Sequence, residues 1–122
     1  MPSAPADAAE LLTRLRDDKI ENFWITYHDY SGVGAAKSIP PGGFRSGVND
    51  GLVFAVANLD MNILDHFAEG ASWLGDSGDM LVVPDPQSYS VLPRYPKTAI
   101  ANGWMRATDG SEWDGCPRTR LK

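Results

Sequence analysis

The sequence predicts an α+β domain in which a small mixed sheet packs on one N-terminal helix, and three observations predict it. Ala8, Leu11, Leu12 and Leu15 recur at i, i+3, i+4 and i+7, the spacing of a single helical face. From Ile20 the period falls to two, with Phe23, Ile25 and Tyr27 alternating against Trp24, Thr26 and His28. Leu81-Val82-Val83 is an unbroken apolar run between Gly78 and Pro84, which suits a strand covered on both faces.

The elements follow in order. Residues 1–6 are Pro, Ala and Ser after the first methionine and are expected to fray. Asp7 is placed to cap a helix of about three turns, whose Glu10, Arg14, Arg16, Asp17 and Asp18 face water. That helix has too narrow an apolar stripe, and too little positive charge, for a membrane surface. The strand through Phe23–His28 ends in Asp29-Tyr30-Ser31-Gly32-Val33-Gly34, a turn of residues that tolerate positive φ or bond their own backbone. Ala35–Ile39 returns as the second strand of a hairpin and is stopped by Pro40-Pro41-Gly42-Gly43.

Phe44 to Gly47 is read as one turn of helix, and Gly51–Ala57 as an apolar strand. Asn58 to Ser77 has no period. Ordinary connections run to ~4–6 residues, and this one carries Met61, Ile63, Leu64, Phe67 and Trp73, too apolar a set for a solvated linker. It is expected to fold over its own core or over a neighbouring subunit. After Leu81–Val83, Pro84-Asp85-Pro86 breaks the ladder, and Tyr89 and Val91 alternate with serines as a half-buried strand would. Thr98–Thr108 is the last strand, Asp109-Gly110 the turn, and Trp113–Lys122 is expected to leave as an extended tail.

Composition excludes several classes of function. A length of 122 residues fits one domain, and a formal charge of −5 argues against a nucleic-acid partner, which calls for a basic face. Cys116 is the one cysteine, so neither an internal disulfide nor a cysteine-based zinc cage is available. No apolar run approaches the ~18 residues of a membrane span, and no basic-then-hydrophobic leader opens the chain. A reducing cytoplasm is the expected compartment.

Chemistry-bearing patterns are sparse. His28 and His66 lie in separate elements, without the spacing of a metal pair. No serine sits in a nucleophile elbow. Cys116 has Arg118 and Arg120 nearby, which would depress its thiol pKa if they approach. Asp60, Asp65, Asp76, Asp79 and Asp85 cluster in sequence, but proximity in loops does not push two carboxylates to different pKa values. Asp79 and Asp85 are assigned to turn and strand-end hydrogen bonds. No catalytic residue and no metal ligand are therefore assigned to this chain.

The series Gly78-Asp79-Met80 to Pro84-Asp85, then Leu92-Pro93, Asp109-Gly110, and Pro117-Arg118 with Leu121, resembles the amino-terminal β-grasp domain of the glutamine synthetase family over roughly residues 8 to 122. The hairpin agrees, with Asp29, Gly32 and Lys37 where that family carries an aspartate, a glycine turn and a basic residue. The resemblance implies a β-grasp-like domain over 7–116, preceded by the frayed 1–6 and followed at 117–122 by the start of a linker to a catalytic domain. It implies that ATP and Mg²⁺ or Mn²⁺ are bound in that part of the full-length enzyme, with none held by this domain alone. It also implies docking on the catalytic domain of the neighbouring subunit in a homo-oligomeric ring.

In the resembling family the loop after the third strand reads Phe-Asp-Gly-Ser-Ser, and its aspartate helps bind and deprotonate ammonium. The matching segment here is Phe54-Ala55-Val56-Ala57-Asn58. The methyl group of Ala55 can neither accept from an ammonium ion nor take its proton. The resemblance thus implies an ATP-dependent ligase that joins glutamate, through γ-glutamyl phosphate, to an organic amine in preference to ammonium. Ala55, Asp60 and Trp73 are the substrate-binding candidates: the altered position, a replacement carboxylate, and an aromatic counterpart of a loop tryptophan in the family. The chain alone is expected to be inactive.

The alternative is a free-standing β-grasp interaction or regulatory module, without catalysis, that uses a sheet edge or the apolar loop. Trp24, Trp73, Trp104 and Trp113 exceed what so small a core needs, so one or two are expected in an interface of the intact protein.

Overall fold

The computed structural model describes residues 3–122. Asp7, in extended geometry, accepts the Glu10 amide on Oδ1 at 2.9 Å and starts helix α1 (Ala8–Asp17). Leu11 and Leu15 of α1 are fully buried, as the helical spacing predicted. The expected fraying of 1–6 falls partly outside the described residues, at 1 and 2. Of the rest, the Ser3 carbonyl accepts from Arg14, and the Ala6 amide donates to Glu10.

Strands β1 (Asn22–His28) and β2 (Gly34–Ile39) form the predicted antiparallel hairpin, with Phe23 opposite Ile39. Asp29 Oδ1 accepts the Ser31 and Val33 amides across the turn. A short 3-10 turn at Pro41–Gly43 leads into α2 (Phe44–Asn49), longer than the single turn expected. Gly47 lets α2 settle on Ile39 and Ile25, where any side chain would collide with the Ile39 Cδ1 methyl. Strands β3 (Leu52–Ala55), β4 (Asp79–Pro84), β5 (Ser90–Leu92) and β6 (Tyr95–Arg106) complete a six-stranded mixed sheet of order β2-β1-β6-β4-β3, with β5 also on β6.

The β6 strand is central. It runs parallel to β1, with Phe23 beside Ala99, and antiparallel to both β5 and β4 on its other edge. Gly103 is required where β6 passes Val82 and the Thr26 carbonyl, because a Cβ would overlap the Val82 side chain. The edge strands β2 and β3 curl towards each other, since the Lys37 ammonium donates to the Val53 carbonyl and sits 4.4 Å from the Phe54 ring centre. Tyr27 meets Phe54 edge-on at 4.8 Å in the same region. The result is an α+β, β-grasp-like and nearly barrel-like layer, with α1 and α2 over the core of Phe23, Ile25, Phe44, Met80, Val82 and Ala101. Among the described residues no helix is long and apolar enough to cross a membrane.

Two expectations are corrected. The Leu81–Val83 run is not covered on both faces: Met80 and Val82 are buried, while Leu81 and Val83 are half-buried and line an outer groove with Asn49, Asp50 and Arg106. The tail is not extended either. Cys116 precedes a short helix, α3 (Pro117–Arg120), whose first residue is a proline suited to that position. Arg118 then pairs with Asp85 at 2.7 Å and lies over the Trp104 ring at 4.0 Å, which draws the tail back onto the sheet. Trp24 remains 40 % exposed on the outer face, and the other three tryptophans are half-buried.

Tyr89 joins the β4–β5 connection to α1 by donating to Asp18 Oδ2 at 2.8 Å, and Arg14 holds the same oxygen at 3.1 Å. Burial pushes the phenol well above its ordinary value; its hydrogen bond to Asp18 and that charge add to the effect, against Arg14. A folded-state pKa raised above the unfolded one gives stability that is complete below about pH 10 and lost as the pH rises further. Tyr89→Phe is therefore expected to cost about 1 kcal/mol at neutral pH and to flatten the fall in stability above pH 10, measured by urea unfolding across pH 7–11.

Candidate functional site

Strand β3 ends at Ala55, half-buried and opposite Asp79 of β4. A 3-10 turn at Val56–Asp60 buries Val56, Ala57 and Leu59, so the chain leaves the sheet along its own core. The Val56 amide donates to the Gly78 carbonyl at 3.0 Å and closes the neck of the long connection. The expected Gly51–Ala57 strand is thus shortened, and its last residues become the root of a loop.

The loop is ordered by its polar residues. Asp60 Oδ2 accepts the Ser72 amide at 2.7 Å and the Trp73 amide at 3.1 Å, while the Asp60 carbonyl accepts from Ala68. Met61 and Phe67 form an antiparallel bridge. Across its tip, Asn62 Oδ1 accepts the Leu64 and His66 amides, and the Asn62 amide donates to the His66 carbonyl at 2.8 Å. Asp65 takes a left-handed φ of 59°, which Asp and Asn tolerate best among residues with a Cβ. This miniature hairpin leaves Ile63 80 % and Leu64 69 % exposed.

Trp73 fastens the loop to the rest of the domain. Its ring lies 5.7 Å from Tyr30, in the β1–β2 turn, and 5.5 Å from Trp113, in the tail. The Tyr30 hydroxyl donates to the Gly115 carbonyl at 2.6 Å. Burial raises the Tyr30 phenol above its ordinary value; the Asp60 and Cys116 charges add to this and Arg120 opposes it. Burial likewise raises Tyr27, against a hydrogen bond that its phenol oxygen accepts from the Asn58 side chain, with Asp29 adding to the rise. Turn, loop and tail, remote in sequence, therefore meet at one stack of three aromatic rings.

Of the predicted site residues, Asp60 and Trp73 are brought together by a direct bond, and Ala55 stands upstream at the strand end. The Asp60 oxygen Oδ2 is engaged by loop amides, so this carboxylate shapes the loop. Tyr30, Asn58 and Asn62 were not named as site residues from sequence, and Trp113 was named only among the tryptophans expected at an interface. The Asn62–Asp65 turn chemistry was readable there, whereas the ring stack depends on contacts that no local pattern announces. Cys116 is fully buried and accepts the Met105 amide at 3.3 Å. Burial pushes its thiol up, but hydrogen bonds from Thr119 and from the Met105 and Arg118 amides bring it below the ordinary value. The arginine charges are not the cause, and the sulfur is closed to solvent. Among the described residues no three His, Cys, Asp or Glu side chains converge as a cation cage requires.

A groove of about 380 Å³ separates the β1–β2 turn from the loop tip, with Tyr27 and Asn58 on its walls. Asp60→Ala is expected to free the Ser72 and Trp73 amides and to weaken local closure by roughly 1–2 kcal/mol. The checks are faster hydrogen exchange at those two amides and red-shifted tryptophan emission, with Asp60→Asn intermediate.

The family model described as the glutamine synthetase N-terminal domain matches residues 5–117. Among solved structures, the chain is similar to a GmaS (glutamylmethylamide synthetase) complex with ADP, at 28% identity and a TM-score of 0.72, over 91% of this chain and 23% of that one. It is similar to apo GmaS without ligand, at 25% identity and a TM-score of 0.75, over 91% and 24%. A novel glutamine synthase homolog matches at 27% identity and a TM-score of 0.71, over 84% and 25%. Glutamine synthetase of Plasmodium falciparum, at 14% identity with a TM-score of 0.75 over 99% and 22%, shares the fold. The search of curated proteins gives no match. The chain spans about a quarter of the length of these solved relatives.

Proposed function

The chain belongs to the glutamine synthetase N-terminal domain family, and from that premise we propose that it is the amino-terminal part of an ATP-dependent ligase joining glutamate to an organic amine. In this reading ATP phosphorylates the glutamate side-chain carboxylate, and the amine nitrogen then displaces phosphate from the γ-glutamyl phosphate. ATP and Mg²⁺ or Mn²⁺ belong to the remainder of the full-length enzyme, in a homo-oligomeric, cytoplasmic assembly. Among the described residues no group of metal-ligating side chains converges, so no step is assigned to a metal held here. The chain contributes a wall beside the amine and a surface towards the catalytic domain of the neighbouring subunit.

The observation that carries the reading is the loop built after Ala55. Where a small cation such as ammonium would call for a carboxylate, position 55 itself offers a methyl group, with Asp79 on the facing strand. The following residues are then held in one shape by Asp60, Asn62 and the Tyr30–Trp73–Trp113 stack. A fixed wall that combines apolar side chains with a few polar groups suits an amine with a carbon skeleton. The similarity to GmaS supports the same choice. A second reading, an interaction module without turnover, is favoured by the exposed Ile63 and Leu64 and by Val53 on the edge strand, 48 % exposed.

The test is phosphate release dependent on ATP and glutamate, with the protein translated from the whole reading frame, ammonium, and a panel of alkyl, polyamine and aryl amines. Release with at least one organic amine at a kcat/KM about tenfold or more above that for ammonium is the expected result. Faster release with ammonium overturns the amine preference and keeps the ligase. No release with any amine leaves the interaction module.

A further inference from the structure

The groove between the β1–β2 turn and the loop tip has a mixed lining. Val33, Met61 and Ile63 bring apolar side chains to it, and Asp29, Asp65 and Asn58 polar ones, with no lysine, arginine or histidine in the lining. Both sides are fixed by the backbone bonds of their own turns. Asp29 holds the β1–β2 turn through Oδ1 alone, and among the described residues Oδ2 takes no protein donor. Asp65 sits at the tip that Asn62 caps, and neither carboxylate is ion-paired among the described residues.

The chemistry of this lining selects its ligand. An anion would meet two carboxylates with no counter-charge. A neutral apolar molecule would gain the apolar side chains and nothing from the carboxylates. Bare ammonium would gain the carboxylates and leave the apolar side chains wet. A protonated amine carrying a hydrocarbon chain satisfies both, since it covers Ile63, which is otherwise almost wholly in water. Its cost of ordering is low, because the tip is already held by hydrogen bonds.

We propose that this groove is a recess for a primary alkylammonium ion, with the hydrocarbon chain along Val33, Met61 and Ile63 and the ammonium at the carboxylates of Asp29 and Asp65. The proposal rests on the ligase reading for its role, in which the recess receives the organic amine. The binding itself is a property of this chain and is measured without turnover.

The experiment is a two-dimensional NMR titration of the 122-residue chain with ethyl-, butyl- and hexylammonium, with ammonium chloride and 1-hexanol as controls. Saturable shifts are expected at residues 29–35 and 61–65, with affinity rising about two- to fourfold per added methylene. Hexanol should bind at least about fivefold more weakly than hexylammonium. Asp29→Asn keeps the Oδ1 acceptor and Asp65→Asn keeps the tolerance of positive φ, so each removes charge without removing the turn. Each is expected to weaken hexylammonium binding about three- to tenfold, and Ile63→Ser to reduce the chain-length dependence.

Equal binding of hexanol and hexylammonium, no binding, or unchanged binding by the Asp29→Asn/Asp65→Asn double variant overturns the recess. So do shifts that follow protein concentration instead of amine, which would mark the groove as a contact between copies. The protein from the whole reading frame separates the two conclusions, with KM for hexylamine as the readout. Binding by the chain without ligation in that protein leaves the recess and removes the ligase reading. Ligation of organic amines with no binding by the chain, and an unchanged KM in the variants, does the reverse.

Discussion

One edge of β6 carries two strands in succession, and the rest of the domain depends on how the chain changes from one to the other. β4 pairs with Gly103–Arg106, β5 pairs with Tyr95–Ile100, and between them Pro84-Asp85-Pro86 leaves the ladder and returns to it. The interruption is not left open. The Asp85 amide donates to the Asn102 carbonyl, Ser88 Oγ accepts the Asn102 amide, and Asp85 Oδ1 accepts the Gln87 amide. Prolines alone would leave β6 with unpaired polar groups at its centre; these contacts supply the partners. Because β6 also pairs with β1 along the opposite edge, a slip here would shift every strand.

The same interruption anchors the tail. Asp85 Oδ2 binds Arg118, whose guanidinium also covers Trp104, and this pulls Cys116 under the sheet and Trp113 towards Trp73. A half-exposed ion pair alone is worth little. Here it works with a cation–π contact and a fully buried sulfur, so the tail is held by packing as well as by charge. The position of the loop after β3 is thus tied, through one ring stack, to residues at the opposite end of the chain.

How far the sequence reveals this differs by feature. α1 and the β1–β2 hairpin were legible because each rests on a local signal: the Asp7 cap, the change of period at Ile20, and the Asp29–Gly34 turn; β6, expected over Thr98–Thr108, runs from Tyr95 to Arg106. The half-covered state of Leu81 and Val83 was not, because an apolar run has the same appearance whether or not an element lies across its outer face. The tail was misread for a related reason. Pro117 signals a helix start, but what turns the tail inward is Asp85, and ion pairs across such separations leave no trace in spacing. At the site, Asp60 and Trp73 were named from sequence and their bond was not; Tyr30 was named only as part of a turn and Trp113 only as a tryptophan in excess, and nothing local joined them.

Ala55 shows why the loop must be considered as a whole. A single Asp-to-Ala difference relative to the family pattern would remove one acceptor from an otherwise similar wall. In this chain the carboxylates around the loop are divided in role. Asp60 is spent on loop amides, whereas Asp29 and Asp65 keep oxygens directed to neither a base nor, for Oδ2 of Asp29, a backbone donor. Asp29 and Asp65 thus line a groove that also carries apolar side chains, while Asp79 stands opposite Ala55 at the strand end. A carboxylate at the strand end favours the smallest cation that reaches it. Carboxylates at the mouth of an apolar groove favour a cation that brings hydrocarbon with it, since only then are both surfaces taken out of water.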